Sequence, residues 1–341
     1  MKAHMRFISK NKIPIAIICI FIAFIFYAFF IHYAETPVDS LNRTVTIEIP
    51  MGANFSNITD ILEKKDLVKC KKSFYLLARL KDAPTHIRAG EYELSSSMSP
   101  SDIINKLIKG EIKGHQVPIP EGFNIRQIAA RLAENELVNE ETFTETASDP
   151  EFVSSLGIEG SSVEGYLFPD TYIFTRSMNA KTIIKRMVSR FRQKVTPYMI
   201  QRAKELGFTT GEFVTLASIV EKEGGPKEEK ELVAAVFHNR LKKGIKLQSD
   251  PTVIYGIEDF DGNIKRKHLR KKTPYNTYRM YGLPTGPISN PGMESLLAVL
   301  YPASVDYLYF VSKNNGSHHF SSDLTSHNEA VRKYQIKKRR R

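Results

Sequence analysis

The feature that most restricts the folding of this chain is a stretch near its N-terminus that contains no charged residue. It runs from Ile13 to Ile31 and reads IPIAIICIFIAFIFYAFFI. A helix needs about 20 consecutive apolar residues to cross the hydrocarbon core of a bilayer. The sequence therefore predicts a transmembrane helix over residues 13–33, with the rest of the chain folded outside the bilayer.

The charges on either side of this stretch predict its orientation. Lysines and arginines are concentrated in residues 1–12, whereas Glu35 and Asp39 follow the stretch. Because positive flanks stay in the cytoplasm, we expect residues 1–12 to be a cytoplasmic tail and the main part of the chain to be exported. A cleaved signal peptide is the alternative. It is disfavoured because the stretch is long and lacks a small-residue cleavage site.

The charge of the whole chain indicates an acidic partner. A net charge of +12 and a pI near 9.4 are typical of proteins that bind nucleic acid, anionic lipid or an anionic polymer. An exported location argues against nucleic acid, so the basic clusters at 265–272 and 337–341 are interpreted as solvated or lipid-facing surface. Cys19 lies in the apolar stretch and leaves Cys70 alone in the exported part, so no disulfide is expected there.

An internal repeat occupies the region after the membrane segment. The first copy begins at Ile47 and reads IEIPMGANFSNITDILEKKDLV, and the second begins at Val117 and reads VPIPEGFNIRQIAARLAENELV. Each copy predicts a short strand, a Pro-x-Gly turn and an amphipathic helix. This pattern resembles LysM modules, which bind N-acetylglucosamine polymers; a generic strand–turn–helix repeat is the alternative. We assign residues 34–140 to a LysM-like repeat module.

Helices and loops dominate the remainder of the chain, which predicts an α+β fold overall. Helices are expected at Ala180–Lys194, Pro197–Leu206, Gly211–Glu223 and Lys227–Lys242, and a strand at Tyr307–Ser312. We assign residues 141–335 to a mixed α+β catalytic domain and residues 336–341 to a basic tail.

The helix GEFVTLASIVEKE ends in two acids, Glu221 and Glu223, immediately before a Gly-Gly-Pro stop. Carboxylates are disfavoured at a helix C-terminus, and a broken local rule can mark a functional site. At about 100° per residue, Phe213 begins an apolar stripe and the two acids fall on its opposite shoulders. Both can therefore sit half-buried at the edge of a cleft. The helix dipole, the second acid and burial all favour the protonated form that a general acid needs.

Three loops beyond this helix are rich in groups that bind sugars. They read LQSDPTVIYG, PYNTY and GLPTGPISNPG, and together they supply amides, hydroxyls and aromatic rings. Amides and hydroxyls suit sugar hydroxyl groups, and Pro- and Gly-rich loops hold a fixed geometry close to a ligand. The candidate cleft residues are Gln248, Asp250, Tyr255, Tyr275, Asn276, Tyr278 and Asn290.

The order of these motifs resembles the YceG-like family of endolytic murein transglycosylases. The resemblance rests on LASIVEKE, LQSDPTVIYG, PYNTY, GLPTGPISNPG and YLYFV, together with RAGEYEL and EGYLFPDTY further upstream. It implies an enzyme of the bacterial inner membrane that acts on the periplasmic side and cuts inside peptidoglycan strands. The family's catalytic acid falls on Glu221, which leaves Glu223 as a supporting group.

The resemblance also implies a reaction. Glu221 would protonate the oxygen between N-acetylmuramic acid and N-acetylglucosamine, and then take the proton from the muramic acid C6 hydroxyl as that oxygen attacks C1. The product is a 1,6-anhydro end, and one carboxyl group serves as acid and then base, whereas most glycosidases use two.

Histidines near the C-terminus form the remaining candidate cluster. His318, His319, Asp323 and His327 fit no standard zinc spacing, and the expected reaction needs neither metal nor cofactor. His319 and His327 are therefore interpreted as supporting cleft or structural residues.

Two other functions fit the same residues. A muramidase would hydrolyse the polymer and would need a second carboxylate to activate water, for which Asp250 is the candidate. A non-catalytic, membrane-anchored glycan-binding protein would use the repeat module. The expected partners are peptidoglycan strands, the cytoplasmic membrane and, through control of strand length, a peptidoglycan synthase.

Overall fold

The computed structural model describes residues 12–257 and 260–336. The predicted cytoplasmic tail up to Asn11 and the basic tail from Lys337 lie outside these residues. The first helix, α1 (Lys12–Glu35), contains a segment, Ala16–Glu35, that is long and apolar enough to cross a membrane. The large side chains between Ile17 and Phe29 are exposed, as expected for a surface that faces lipid. The orientation of this helix stays a prediction.

The chain forms two compact units, each with its own hydrophobic core. Unit 1 contains the residues up to His115 together with Thr175–Ser177, and unit 2 contains Gln116–Phe174 and the chain from Met178 onward. The repeat predicted over residues 34–140 is therefore divided, because its second copy lies in unit 2. The names LysM-like module and catalytic domain stay predictions.

Unit 1 is built on one antiparallel strand pair covered by helices. Tyr92 of the second strand is fully buried and lies opposite Ile47 of the first. Ser99 begins the last helix with a capping box, and Gly110 ends it. Its elements are β1 (Thr44–Ile49), α2 (Phe55–Lys64), α3 (Lys71–Leu80), a 3₁₀ turn (Ala83–Thr85), β2 (Gly90–Ser95) and α4 (Pro100–Lys109).

Unit 2 contains two strand pairs and is otherwise mainly helical, and its first strand starts at the boundary residue His115. The strands are β3 (His115–Pro118) with β4 (Thr171–Phe174), and β5 (Tyr309–Ser312) with β6 (His318–Ser321). The helices up to the acid pair are α5 (Ile125–Glu134), α6 (Glu140–Ala147), α7 (Pro150–Ser155), α8 (Ala180–Lys194), α9 (Pro197–Glu205) and α10 (Thr210–Glu223). The later ones are the 3₁₀ turn Lys227–Glu229, α11 (Lys230–Lys242), α12 (Asp250–Tyr255), α13 (Arg266–Arg270), α14 (Met293–Leu300), α15 (Leu324–Val331) and the π-helical turn Arg332–Ile336.

The predicted α+β class and the predicted helices are confirmed within a few residues at their ends. The main difference lies in α10. The helical wheel places one apolar stripe in the core, whereas the structure buries every residue from Phe213 to Val220. The one-face prediction is wrong because neighbouring helices, including α11 and α14, surround α10. The predicted stop is confirmed, since Gly224 and Gly225 both have positive φ angles that favour glycine.

A substitution in the core of unit 1 should destabilise it measurably. The Phe74 side chain is fully buried, so Phe74→Ala should lower the free energy of unfolding by about 3–5 kcal/mol. Leu80 on the same helix is 68% exposed, and Leu80→Ala should cost less than about 0.5 kcal/mol. Denaturant titration of both variants checks this. Equal losses would contradict the placement of the core.

Candidate active site

The two acids at the end of α10 occupy different surroundings. Glu221 and Glu223 are both largely removed from solvent, and the Glu221 side chain is only 9% exposed. Lys222 between them is exposed, and its ammonium donates to the carbonyl of Gly122.

Glu221 is held by groups from two other helices. The Lys230 ammonium, at the start of α11, lies 3.3 Å from both carboxylate oxygens. The Gly292 N–H donates to Oε2 at 3.0 Å, and the Ser295 hydroxyl donates to the same oxygen at 2.7 Å. Gly292 and Ser295 belong to the N-terminal end of α14, where partial positive charge favours an anion. These contacts offset the unfavourable position of Glu221 at the end of α10.

A further carboxyl group, Glu121, lies beside Glu221 and was not identified from the sequence. Its Oε2 atom is 4.0 Å from the Lys230 ammonium, and its side chain is 48% exposed. Partial burial and the negative charge of Glu221 raise the pKa of Glu121, whereas Lys230 opposes that rise. The sequence signal that could have identified Glu121 lies in the repeat. The second copy has Glu121 at the turn position that Met51 occupies in the first copy.

Glu223 lies in a separate polar cluster. The Ser249 hydroxyl donates to its carboxyl group. Burial and the nearby Asp250 charge raise the pKa of Glu223 to about 7, although Ser249 and Arg240 act in the opposite direction. Glu223 is therefore an acid that can hold its proton close to neutral pH.

Several of the predicted cleft residues gather around Arg240. The Arg240 guanidinium donates a hydrogen bond to the Gln248 side chain at 3.3 Å. It also donates to backbone carbonyls, including that of Leu308. Tyr278 donates to Asp250 at 2.7 Å. Gln248 and Asp250 are exposed and Tyr278 is half-buried, so this cluster presents polar groups at the surface.

Tyr255 and Tyr275 line a different feature, a cavity of about 730 Å³ in unit 2. Their rings pack edge to face with centroids 4.7 Å apart. The buried carboxyl group of Glu164 also lines this cavity and accepts hydrogen bonds from the Tyr255 hydroxyl at 3.0 Å and the Ile125 N–H at 3.1 Å. Sequence reasoning missed Glu164, although it lies in the EGYLFPDTY segment that carried part of the resemblance.

The two predicted asparagines are buried, and their amides are occupied within the protein. The Asn276 amide donates to three backbone carbonyls, including that of Lys271 at 2.6 Å. The Asn290 amide donates to Glu164 and to the carbonyl of Phe123, each at 2.9 Å. Both asparagines thus fix the loops that carry them. This geometry favours loop positioning over direct contact with a sugar.

His319 and His327 each pack against a tyrosine ring. His327 stacks on Tyr309 with ring centroids 5.0 Å apart, and the guanidinium carbon of Arg240 lies 5.1 Å from the centroid of the same Tyr309 ring. His319 packs against Tyr334. Burial is the main cause that lowers the pKa of His327, and Arg240 and His319 add to it. These contacts suit the predicted supporting role.

Comparison with known proteins places this geometry in a family. The sequence profile of the YceG-like family matches residues 47–333. The chain belongs to the YceG-like family. The resemblance carried by its motifs is thereby confirmed, and the match includes both α10 and the loops that follow it.

Named relatives of this YceG-like chain cover most of its length. An endolytic murein transglycosylase of Bacillus subtilis (strain 168) is 36% identical over 315 residues, which is 87% of each chain. An endolytic murein transglycosylase of Streptococcus pneumoniae (strain D39) is 31% identical over 328 residues, which is 86% of this chain and 59% of that one. A crystal structure of a YceG-like protein from Listeria monocytogenes is 34% identical, covers 85% of this chain and 99% of its own, and has a TM-score of 0.59.

The two buried acids with raised pKa values should make stability depend on pH. Burial raises the pKa of Glu164 to about 7 from an ordinary value of 4.5, and it raises the pKa of Glu223 to about 7 as well. The folded protein therefore binds more protons than the unfolded chain between about pH 4.5 and 7, so stability falls as pH rises through this window. Glu164→Gln should remove about half of that fall, because Glu223 supplies the other half.

Denaturant titrations of the full-length protein in detergent at several pH values measure this effect. Glu140→Gln, an exposed acid on α6, provides a control with the same loss of charge. An unchanged slope in Glu164→Gln would contradict the burial of that carboxyl group.

Proposed function

We propose that this protein is an endolytic lytic transglycosylase of peptidoglycan in which Glu221 carries the chemistry. Its relatives in Bacillus subtilis and Streptococcus pneumoniae are named endolytic murein transglycosylases. The observation that carries the proposal is the Glu221 carboxyl group, which is nearly buried and fixed by Lys230, Gly292 and Ser295. A carboxyl group held this rigidly is suited to act on a bond presented to it.

The reaction uses Glu221 twice. In its protonated form it gives its proton to the oxygen that joins N-acetylmuramic acid to N-acetylglucosamine, and the bond from that oxygen to C1 breaks. The C6 hydroxyl oxygen of the same muramic acid then bonds to C1, and its proton passes to the Glu221 carboxylate. The acid is restored, no water is consumed, and the product is a 1,6-anhydro end. Between the two steps Lys230, 3.3 Å away, stabilises the carboxylate.

Other residues take supporting parts in this proposal. Gln248, Asp250 and Tyr278 offer polar contacts to a glycan strand, and Tyr255 and Tyr275 offer aromatic faces. Asn276 and Asn290 are assigned to loop positioning because their amides are occupied. Glu223, His319 and His327 act as supporting groups through the cluster around Arg240.

A muramidase is the second candidate, and one observation favours it. Glu223 has a pKa raised to about 7 and lies close enough to Asp250 for their charges to interact. A protonated acid beside an ionised one is the pair that ordinary glycosidases use, with the carboxylate activating water. In that case Glu223 would replace Glu221 as the proton donor.

The apolar helix α1 supports a proposal for where in the cell the reaction takes place. We propose that α1 anchors the protein in the bacterial inner membrane with the rest of the chain on the periplasmic side. The enzyme then acts on glycan close to the membrane and limits the length of new strands alongside a peptidoglycan synthase. The strand and helix repeat, whose first copy lies in unit 1 and whose second copy lies in unit 2, is proposed to hold the glycan.

Replacing the catalytic acid provides the first test. Glu221→Gln keeps the size of the side chain but removes the transferable proton, so its rate on purified peptidoglycan should fall at least 100-fold. The assay measures the release of soluble glycan by full-length protein in detergent. Glu212→Gln, at the other end of α10, is the control, because the Gln side chain can still accept the capping hydrogen bond from the Thr209 N–H. Wild-type release by Glu221→Gln would overturn the assignment.

The second test separates the two candidate reactions. Asp250→Asn removes the base that a muramidase needs, but it leaves Glu221 and its partners untouched. We expect the variant to keep its rate within about tenfold and to produce 1,6-anhydro ends, which mass spectrometry distinguishes from reducing ends by the mass of one water. Loss of activity together with reducing ends in the wild-type digest would support the muramidase instead.

A further inference from the structure

The surroundings of Glu221 contain more acids than bases. Three carboxyl groups, those of Glu121, Glu221 and Glu294, interact with two ammonium groups, those of Lys227 and Lys230. Lys227 forms an ion pair with Glu294, so Lys230 is left to neutralise both Glu121 and Glu221. One ammonium can balance one carboxylate, so the cluster favours retention of one extra proton.

The contacts indicate which acid keeps that proton. Glu221 accepts hydrogen bonds from an N–H and a hydroxyl in addition to Lys230, and donors of this kind stabilise the ionised form. Glu121 has fewer groups beside it that stabilise its ionised form. Among the residues that the structure describes, Lys230 at 4.0 Å is its one ion-pair partner. Burial and the Glu221 charge also raise the pKa of Glu121.

Gly292 keeps the two acids close to each other. Its N–H donates to Glu221 at 3.0 Å, whereas a Cβ atom at this position would lie 2.0 Å from the Glu121 carboxyl carbon. The glycine therefore lets the Glu121 carboxyl group pack directly against the backbone that binds Glu221. Both carboxyl groups lie against the same residue and the same ammonium.

We propose that Glu121 is a proton-holding partner of Glu221, linked to it through the shared Lys230 ammonium. The inference rests on the proposed function of Glu221. Glu121 passes its proton to the Glu221 carboxylate, which leaves Glu121 ionised and Glu221 protonated. Glu221 then protonates the glycosidic oxygen. Once Glu221 has given up that proton, both acids are ionised and Lys230 lies against both of them, until the proton from the C6 hydroxyl returns to Glu221 and then to Glu121. Glu121 touches no reacting atom, so it is a positioning residue.

The test is the pH dependence of the initial rate on purified peptidoglycan, measured with full-length protein in detergent. Glu121→Gln removes the stored proton and the negative charge that favours protonation of Glu221. The alkaline limb should therefore move to lower pH by about one unit, with a loss of about tenfold on that limb and little change at pH 5. Lys230→Met removes the cation and should move the same limb to higher pH.

Two further variants keep the result interpretable. Glu121→Asp retains an acid and should restore the wild-type profile in part, even if Glu121→Gln folds poorly. Glu228→Gln changes the charge equally at an exposed position nearby and should leave the profile unchanged. A uniform loss at all pH values in Glu121→Gln, or no loss, would overturn the inference. Full activity of Glu221→Gln would instead overturn the proposed function and leave the Glu121 profile to be assigned to another acid.

Discussion

The ion pair between Lys230 and Glu221 is the interaction on which the rest of the site depends. It joins the end of α10 to the start of α11, and the α14 contacts complete it. A buried carboxylate without these partners would cost several kcal/mol in desolvation alone. The packing of three helix ends thus does two things together. It makes an acid tolerable at an unfavourable helix terminus, and it fixes the orientation of that acid.

Loops hold the site through buried polar groups and not through apolar packing alone. Asn290 accepts from the Leu167 N–H and donates to Glu164, while its own backbone binds Gly122 and Phe123. The loop that ends at Gly292 is thereby tied to the turn that carries Glu121. Because buried polar groups need all of their partners, a change at one position in this network should disturb several others. Such networks are a common way to support a catalytic group.

The sequence predicts the parts of this arrangement that depend on local patterns. The bounds of α10 follow from its apolar residues and its Gly-Gly-Pro stop, and the proximity of Gln248 and Asp250 follows from their places two residues apart in one short loop. The partners of Glu221 do not follow, because Glu121 and Ser295 are far from it in the chain and meet it only through tertiary packing. Asn276 shows a different limit. An amide typical of sugar binding is equally suited to holding a loop, and burial decides between the two.

The central claim is that the C6 hydroxyl oxygen of the muramic acid, and not a water oxygen, bonds to C1 when the glycosidic bond breaks. Digestion of peptidoglycan in water enriched in oxygen-18, with immediate borohydride reduction and mass spectrometry of the new ends, tests this most directly. We predict new muramic acid ends that contain no oxygen-18 and have the mass of the anhydro sugar. Incorporation of one oxygen-18 atom at each new end would contradict the account and show that the protein is a hydrolase.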